Sequence, residues 1–234
     1  MVERPALFSD PMVRELLADR KTQTRRLLRP QPQRMCSHVE PFRGEGVGWV
    51  AGDNRGRVFP CPHGVPGDRL WVREGWARWA DTKSHECIVY RAGGAPRSIL
   101  ATEEGEGDPV ALGGAAVPMV GEIPRWRPSI HMPRWASRLT LELVSVRAER
   151  LQDISEKDAR AEGAYGALRD SEQELDAWAR WTKQVDPRAL AATMRGAFAL
   201  LWERINGHRP GARWEDNPWV WVLGLKRLEV ARAA

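Results

Sequence analysis

The chain has 234 residues, of which 42% are hydrophobic and 29% are charged, a composition that excludes a disordered or fibrous protein. Lys and Arg number 36 against 31 Asp and Glu, which gives a formal net charge of +5 and favours an anionic partner such as nucleic acid or a nucleotide. Three cysteines in a chain of this length argue against a disulfide framework. The sequence has neither a signal core nor a membrane-spanning window, so we expect a cytoplasmic protein.

The first elements are a helix and a strand. The segment DPMVRELL begins at Asp10, combines Pro at the first helical position with an apolar face, and predicts a helix that ends near Arg20. Threonines and arginines from Thr22 to Leu28 then favour a strand. Residues 30 to 66 have no clear period, so we expect a loop there, with a hairpin around Val47 to Phe59.

Two further strands are indicated in the middle of the chain. GDRLWVREGW, Gly67 to Trp76, is typical of a turn that leads into a strand, with Leu70 and Val72 on one face. A second strand is predicted at Cys87 to Ala92. The glycine-rich acidic stretch from Gly93 to Gly121 indicates an excursion from the fold or a flap.

The segment RLTLELVSVRAERL, Arg138 to Leu151, alternates cleanly and predicts the clearest strand of the chain. Ser155 then caps a short helix with Asp158 three residues later, and Gly163 follows its end. That helix carries Glu162 in its last turn.

Residues 171 to 186 and 188 to 206 are helical by composition, and the last strand runs from Asn217 to Val230. The second of these helices has an apolar stripe made of Met194, Phe198, Leu201, Trp202 and Ile205. Because strands outnumber helices and regular crossover helices do not separate them, a parallel βαβ sheet is not expected. We predict an α+β fold, a small mixed or antiparallel barrel with inserted and flanking helices.

The stretch ADRKTQTRR, residues 18 to 26, places four cations and two threonines at the predicted junction between helix and strand. Lys21 and Thr24 would point to opposite faces of a regular strand, so an amine and a hydroxyl meet only if Lys21 lies in the junction. Glu162 at the negative end of a helix dipole needs a cation or a donor, and Lys21 is a candidate. The alternatives are a solvated basic turn and an exposed glutamate.

Four motifs in this order resemble the ASCH family of PUA-like β-barrels. They are the helix followed by ADRKTQTRR, then GDRLWVRE, LQDISEKDARAEGA and NPWVWVLGLKRL. The resemblance spans the chain and implies one domain over residues 1–234, with insertions at about 30–65, 93–135 and 165–210.

The motifs are similar to those of ASCH amidohydrolases that act on N4-acetylcytidine, and this implies that Lys21, Thr24 and Glu162 are catalytic. Lys21, with a pKa depressed by burial and by the neighbouring cations Arg20, Arg25 and Arg26, would activate the Thr24 hydroxyl or a water against the N4-acyl amide of cytidine. Glu162 would act as acid or base. No cofactor is implied. The family also contains ribonucleases and proposed RNA-binding proteins, so an RNA or modified-nucleic-acid reader without turnover and an ASCH-type ribonuclease stay open.

The segment RWRPSIHMPRWASR, Arg125 to Arg138, interleaves tryptophan with arginine and favours a loop that stacks on a base and contacts phosphate. The alternative is a proline-rich segment that packs tryptophan against the barrel. The predicted substrate-binding residues are Arg20, Arg26, Arg73, Glu74, Trp76, Trp126 and His131. The segment GDRLWVREGW has two interpretations as well. In one, Trp71 and Trp76 are core residues. Arg73 and Glu74 either pair with each other or line a pocket.

Three close Cys/His pairs raise the question of a zinc site. Two such pairs would supply four ligands, but their spacing of one intervening residue is tighter than usual for zinc. Unrelated residues are the favoured interpretation, and we predict no metal. The pairs are Cys36/His38, Cys61/His63 and His85/Cys87.

Overall fold

The structure is a computed structural model that describes residues 1–32, 39–41, 49–51, 58–80, 86–94, 97–98, 125–164 and 193–228. The helices are α1 (Asp10–Leu17), α2 (Glu156–Ala161) and α3 (Met194–Asn206). The strands are β1 (Glu3–Leu7), β2 (Gln23–Leu27), β3 (Val39–Pro41), β4 (Trp49–Ala51), β5 (Val58–Phe59), β6 (Arg69–Arg73), β7 (Trp76–Ala80), β8 (Glu86–Tyr90), β9 (Arg97–Ser98), β10 (Thr140–Arg150) and β11 (Trp219–Leu228). Short 3₁₀ turns occur at Ser129–His131, Arg134–Ala136 and Leu151–Asp153.

A five-stranded mixed sheet organises the described part of the chain, with the order β1-β6-β10-β11-β2. β1 pairs with β6 in parallel, and the other three pairs are antiparallel. Two small antiparallel sheets, β3-β4-β5 and β7-β8-β9, accompany it. The fold is therefore α+β, as predicted, and the hairpin expected around residues 47 to 59 is confirmed by the β4–β5 pair.

The first helix ends earlier than predicted, at Leu17 rather than near Arg20. Asp19 adopts a left-handed backbone with a φ of 55°. The N–H of Asp19 then bonds to the Leu16 carbonyl at 3.2 Å, and the N–H of Arg20 bonds to the Glu15 carbonyl at 3.0 Å. These two bonds form a Schellman motif, which closes the helix and redirects the chain towards β2.

Strands β1, β3, β7 and β9 were not predicted, and some predictions fall outside the described ranges. β1, with the sequence ERPAL, has no apolar alternation and contains Pro5, and it is a strand because it pairs along β6. The predicted helix at 171–186 lies outside the described residues, as does most of the acidic stretch at 93–121.

The main sheet has one buried apolar cluster on each face, and a third, smaller cluster lies around Trp76 and Ile88. Along β11, Trp221 and Leu223 belong to one buried cluster and Val220 and Val222 to the other, because successive residues of a strand point to opposite faces. The second cluster includes the predicted stripe of α3, as buried Phe198, Leu201 and Trp202 and partly buried Met194 and Ile205. In the described ranges no helix is long and apolar enough to cross a membrane.

The edge strands of the main sheet approach each other. Arg26 on β2 donates a hydrogen bond of 2.6 Å to the carbonyl of Leu7 at the end of β1. Its guanidinium carbon lies 4.9 Å from the ring centroid of Phe8. In a flat sheet four strand spacings would separate β1 from β2 by roughly 19 Å. The sheet is therefore strongly curved.

Asp68 anchors β1 to the start of β6, and its substitution should weaken the fold. Its carboxylate accepts hydrogen bonds from the N–H of Val2 at 2.7 Å, from Arg4 at 2.7 Å and from the N–H of Val65 at 3.2 Å. These bonds, led by the one from Val2, lower its pKa to about 2. A depressed carboxyl pKa stabilises the fold above the unfolded-state pKa of about 3.9, and that contribution is lost as the pH falls towards 2.

We therefore expect Asp68→Asn to lower the urea midpoint at pH 7, with a smaller difference from the wild type at pH 3. Urea unfolding at the two pH values measures this, and Asp153→Asn, at an exposed aspartate, is the control. An equal loss at both pH values would contradict the assignment.

Candidate functional site

Lys21 lies in the junction between α1 and β2, the position it needs if its amine is to meet the Thr24 hydroxyl. Its own N–H bonds to the Glu15 carbonyl at 3.1 Å, which extends the Schellman closure of α1. The next residue, Thr22, donates to the Ala161 carbonyl at 2.8 Å and accepts from the N–H of Leu225 at 2.8 Å. The backbone thereby fixes Lys21 against the end of α2 and against β11.

Glu162 follows α2 directly, at the C-cap position. The predicted N-cap is confirmed, because the Ser155 hydroxyl accepts from the N–H of Asp158 at 3.0 Å. The predicted glycine end is confirmed too, since Gly163 has a φ of 70°. An added Cβ on Gly163 would lie 2.9 Å from the Glu15 Cβ and 3.3 Å from the Lys21 Cβ. Glycine is thus required here both for its backbone conformation and for the close approach of the two helix ends.

Lys21 and Glu162 form a buried ion pair. The Lys21 Nζ donates to the Glu162 Oε2 at 2.8 Å and to the Glu162 backbone carbonyl at 2.9 Å. The two side chains are 0% and 2% exposed. The second carboxylate oxygen, Oε1, accepts from the Arg25 Nη1 at 3.1 Å. Two cations therefore hold the carboxylate, one on each oxygen.

Arg25 connects this pair to a larger charged cluster. Its guanidinium bonds to Glu149 through Nε at 3.1 Å and also through Nη2, and it bonds to the Gln23 Oε1 at 3.1 Å. Asp158 lies 3.6 Å from its Nη2, and Arg147 bonds to both Glu149 and Asp158. Arg25 is fully buried, so these bonds fix its orientation.

The surroundings of Lys21 make its charged form less favourable than that of an exposed lysine. Burial lowers the pKa of its ammonium, and the positive charges of Arg26 and Arg25 lower it further, whereas Glu162 opposes the shift. Of the neighbours expected to depress this pKa, Arg20 is not among the causes. It is exposed and forms a bidentate pair with Glu15, at 2.8 and 2.6 Å.

Thr24 and Glu162 face one cavity of about 480 Å³, which we call the inner cavity. Lys21 is not in its wall, because it lies behind Glu162. The wall contains the aromatic residues Phe8, Phe198 and Trp202. Of the three residues predicted to be catalytic, Thr24 and Glu162 therefore line the cavity wall, and Lys21 contacts Glu162 from behind the wall.

A second cavity of about 380 Å³, the outer cavity, adjoins the first. Both are lined by Phe8, Ser9 and Ser129. Trp126 and Arg127 are also in the wall of the outer cavity, so the start of the tryptophan and arginine segment faces a concave surface.

Of the residues predicted to bind substrate, some line a cavity and others do not. Arg26 lines the inner cavity and Trp126 the outer one. Arg20 and Arg73 line neither. Arg73 donates to the Met132 carbonyl at 2.9 Å and lies over the Trp71 ring, whose centroid is 5.0 Å from its guanidinium carbon.

Glu74, Trp76 and His131 are also absent from both cavity walls. Glu74 is buried and pairs with Arg138 at 2.9 and 2.8 Å rather than with Arg73, and burial raises its pKa. Trp76 is a core residue, 2% exposed, and His131 is exposed in a 3₁₀ turn.

The cysteine and histidine pairs are only partly described, because Cys36, His38 and His85 lie outside the described ranges. Cys87 is buried in the small β7-β8-β9 sheet. Among the described residues no three His, Cys, Asp or Glu side chains are grouped to hold a metal ion. His63 instead lines the inner cavity, a position that its pairing with Cys61 in the sequence did not predict.

Comparison of the chain with protein-family models, curated proteins and solved structures finds no match in any of the three.

The close approach at Gly163 generates a prediction. Gly163→Ala should destabilise the protein by about 1–3 kcal/mol through backbone strain and should also displace Lys21 and Glu162. Gly211→Ala is a matched control, because Gly211 has a φ of 71° and an added Cβ there would meet nothing within 4 Å. Urea unfolding of both variants, with crystal structures of each, measures the two effects. Equal stability losses with an unchanged Lys21–Glu162 contact would contradict this account.

Proposed function

We propose that the protein is an amidohydrolase that cleaves the N4-acyl amide of acylated cytidine. The observation that carries the proposal is the buried Lys21–Glu162 ion pair, whose Glu162 carboxylate lines the inner cavity together with Thr24. Buried charges with perturbed pKa values in a cavity are characteristic of active sites. The reaction and the substrate class are inferred from the resemblance of the motifs to those of ASCH amidohydrolases.

The proposal includes a PUA-like barrel as the scaffold. Its support is the curvature of the five-stranded sheet, whose edge strands are bridged by Arg26. Closing a sheet on itself requires such curvature. The inner cavity then lies where β1, β2 and α3 meet, since all three contribute to its wall.

The position of Lys21 favours hydrolysis by water over attack by Thr24. Glu162 lines the cavity and touches Lys21, so a water at this wall can give its proton to the Lys21–Glu162 pair as it attacks the acyl carbonyl. Thr24 donates a hydrogen bond to the carbonyl oxygen as charge develops there. The C–N4 bond breaks, the same proton goes to the N4 of the leaving cytosine, and a carboxylic acid is released.

Lys21 acts through Glu162 in this scheme and is a positioning residue. Its ammonium fixes one carboxylate oxygen while Arg25 fixes the other, so the carboxylate keeps a single orientation. Because burial lowers the Lys21 pKa, the pair holds its proton less tightly than an exposed lysine does, so the proton taken from water passes on more readily to the leaving N4.

The first test is direct turnover. The purified protein with EDTA present should release acetate from N4-acetylcytidine, and Lys21→Met should reduce kcat by about 100-fold or more, in the range of general acid–base contributions. Loss of one partner of a buried pair is destabilising by about 3–5 kcal/mol, so the variant Lys21→Met/Glu162→Gln, which removes both charges, is made as well. The double variant should be more stable than Lys21→Met and equally inactive.

Arg213→Gln, at an exposed arginine paired with Glu215, is the control and should retain full activity. Full activity of the folded double variant would remove the pair from the mechanism. RNA binding without turnover, weakening steeply as salt rises, would instead support a nucleic-acid reader, the function that Trp126 and Arg127 in the outer cavity favour.

A pH profile tests the role of Lys21 separately from its structural effect. The proton-accepting form of the pair is lost as the pH falls through its pKa, so kcat/KM should rise with pH along an acid limb. Because the Lys21 pKa is lowered, this limb should lie below the ordinary lysine value of about 10.4. Steady-state kinetics from about pH 5 to 9 measure it. A flat profile would contradict proton transfer by the pair.

A further inference from the structure

The inner cavity has a gradient of charge and exposure. Thr24 and Glu162 are buried in its wall, at 3% and 2% exposure. Arg29 and Arg209 line the same cavity and are exposed. Arg26 lines it as well and is half-buried. The reactive groups and Arg25 are thus deep, and the other three arginines lie towards the mouth.

These arginines have little compensation from the cavity wall. Glu162 is the single carboxylate among the described residues that line the cavity. Lys21 and Arg25 already bind its two oxygens. The negative charge inside is therefore matched by the buried cations, and the positive charge of the mouth remains.

The contacts of the individual arginines leave donors available. Arg26 donates one N–H to the Leu7 carbonyl, and Arg209 donates its Nε–H to the His208 Nε2 at 3.3 Å. Neither of them, nor Arg29, forms an ion pair with a carboxylate of the described residues. A guanidinium has five N–H donors, so several remain for a ligand.

The pKa of the His63 imidazole also responds to positive charges near the cavity. Burial is the main cause of its lowered pKa, about 4, and the charges of Arg26 and Arg4 lower it further. Its imidazole is neutral at pH 7 and lines the cavity as a hydrogen-bonding group. An anion bound at this wall would relieve the repulsion between the arginines.

We propose that the mouth of the inner cavity, formed by Arg26, Arg29 and Arg209, binds a phosphate group, and that the substrate is a nucleoside monophosphate. The proposal rests on the proposed function for the acylated base at the inner end. Arginine matches phosphate oxygens with paired N–H donors. The volume of about 480 Å³ is in the range of small-molecule sites.

Calorimetric binding of cytidine 5′-monophosphate and of cytidine tests the site without turnover. The monophosphate should bind roughly tenfold more tightly or better, as expected for one or more charge-assisted hydrogen bonds. Raising the salt concentration should reduce the difference. Arg29→Gln/Arg209→Gln should remove it, and Arg213→Gln should preserve it, because Arg213 lines neither cavity. Arg29 and Arg209 are exposed, and thermal unfolding of the double variant and of each single variant verifies that they fold.

Equal affinity for the two ligands would overturn the proposal. So would inorganic phosphate binding as tightly as the monophosphate, or a short cytidine oligonucleotide binding more tightly through the same arginines, which would indicate an RNA strand. Arginine-dependent binding of the monophosphate without any amide hydrolysis would leave the phosphate site standing and remove the proposed reaction. Hydrolysis of N4-acetylcytidine together with equal affinities would do the reverse.

Discussion

The geometry of the site depends on the buried contact between Lys21 and Glu162. Residues 141 positions apart in the chain are joined by two hydrogen bonds from one ammonium group. Taking an ammonium and a carboxylate out of water costs several kcal/mol for each ion, so neither would be stable there alone. Each therefore requires the other, and the contact fixes the α1–β2 junction against the end of α2.

This arrangement is not explained by stability. A buried ion pair is often no more stabilising than apolar side chains of similar volume. Lys21, Arg25 and Glu162 are nonetheless buried. Glu149 and Gln23 accept further hydrogen bonds from the Arg25 guanidinium. Such a cluster at the wall of a cavity favours a chemical role, because the same burial that costs stability also shifts the Lys21 pKa.

Local signals predicted the parts of the site that depend on neighbouring residues. The Ser155 cap and Gly163 marked the two ends of α2, and the helix end predicted near Arg20 with a strand from Thr22 left Lys21 in the junction. The partners of Arg25 and Glu74 were not predictable, because Glu149 and Arg138 lie 124 and 64 residues away and no local pattern encodes that pairing. β1 was missed for the same reason, since its strand character comes from pairing with β6.

The apolar core and the site are made of the same elements. Phe198 and Trp202 on α3 belong to the second core cluster and also line the inner cavity. The guanidinium carbon of Arg25 lies 5.6 Å from the Phe198 ring centroid, so an aromatic face contacts the cation that orients Glu162. Within the charged cluster Arg25 and Glu162 are buried, at 0% and 2% exposure, and this burial strengthens the hydrogen bond between them. The position of α3 thus sets both the stability of the sheet face and the electrostatics of the cavity.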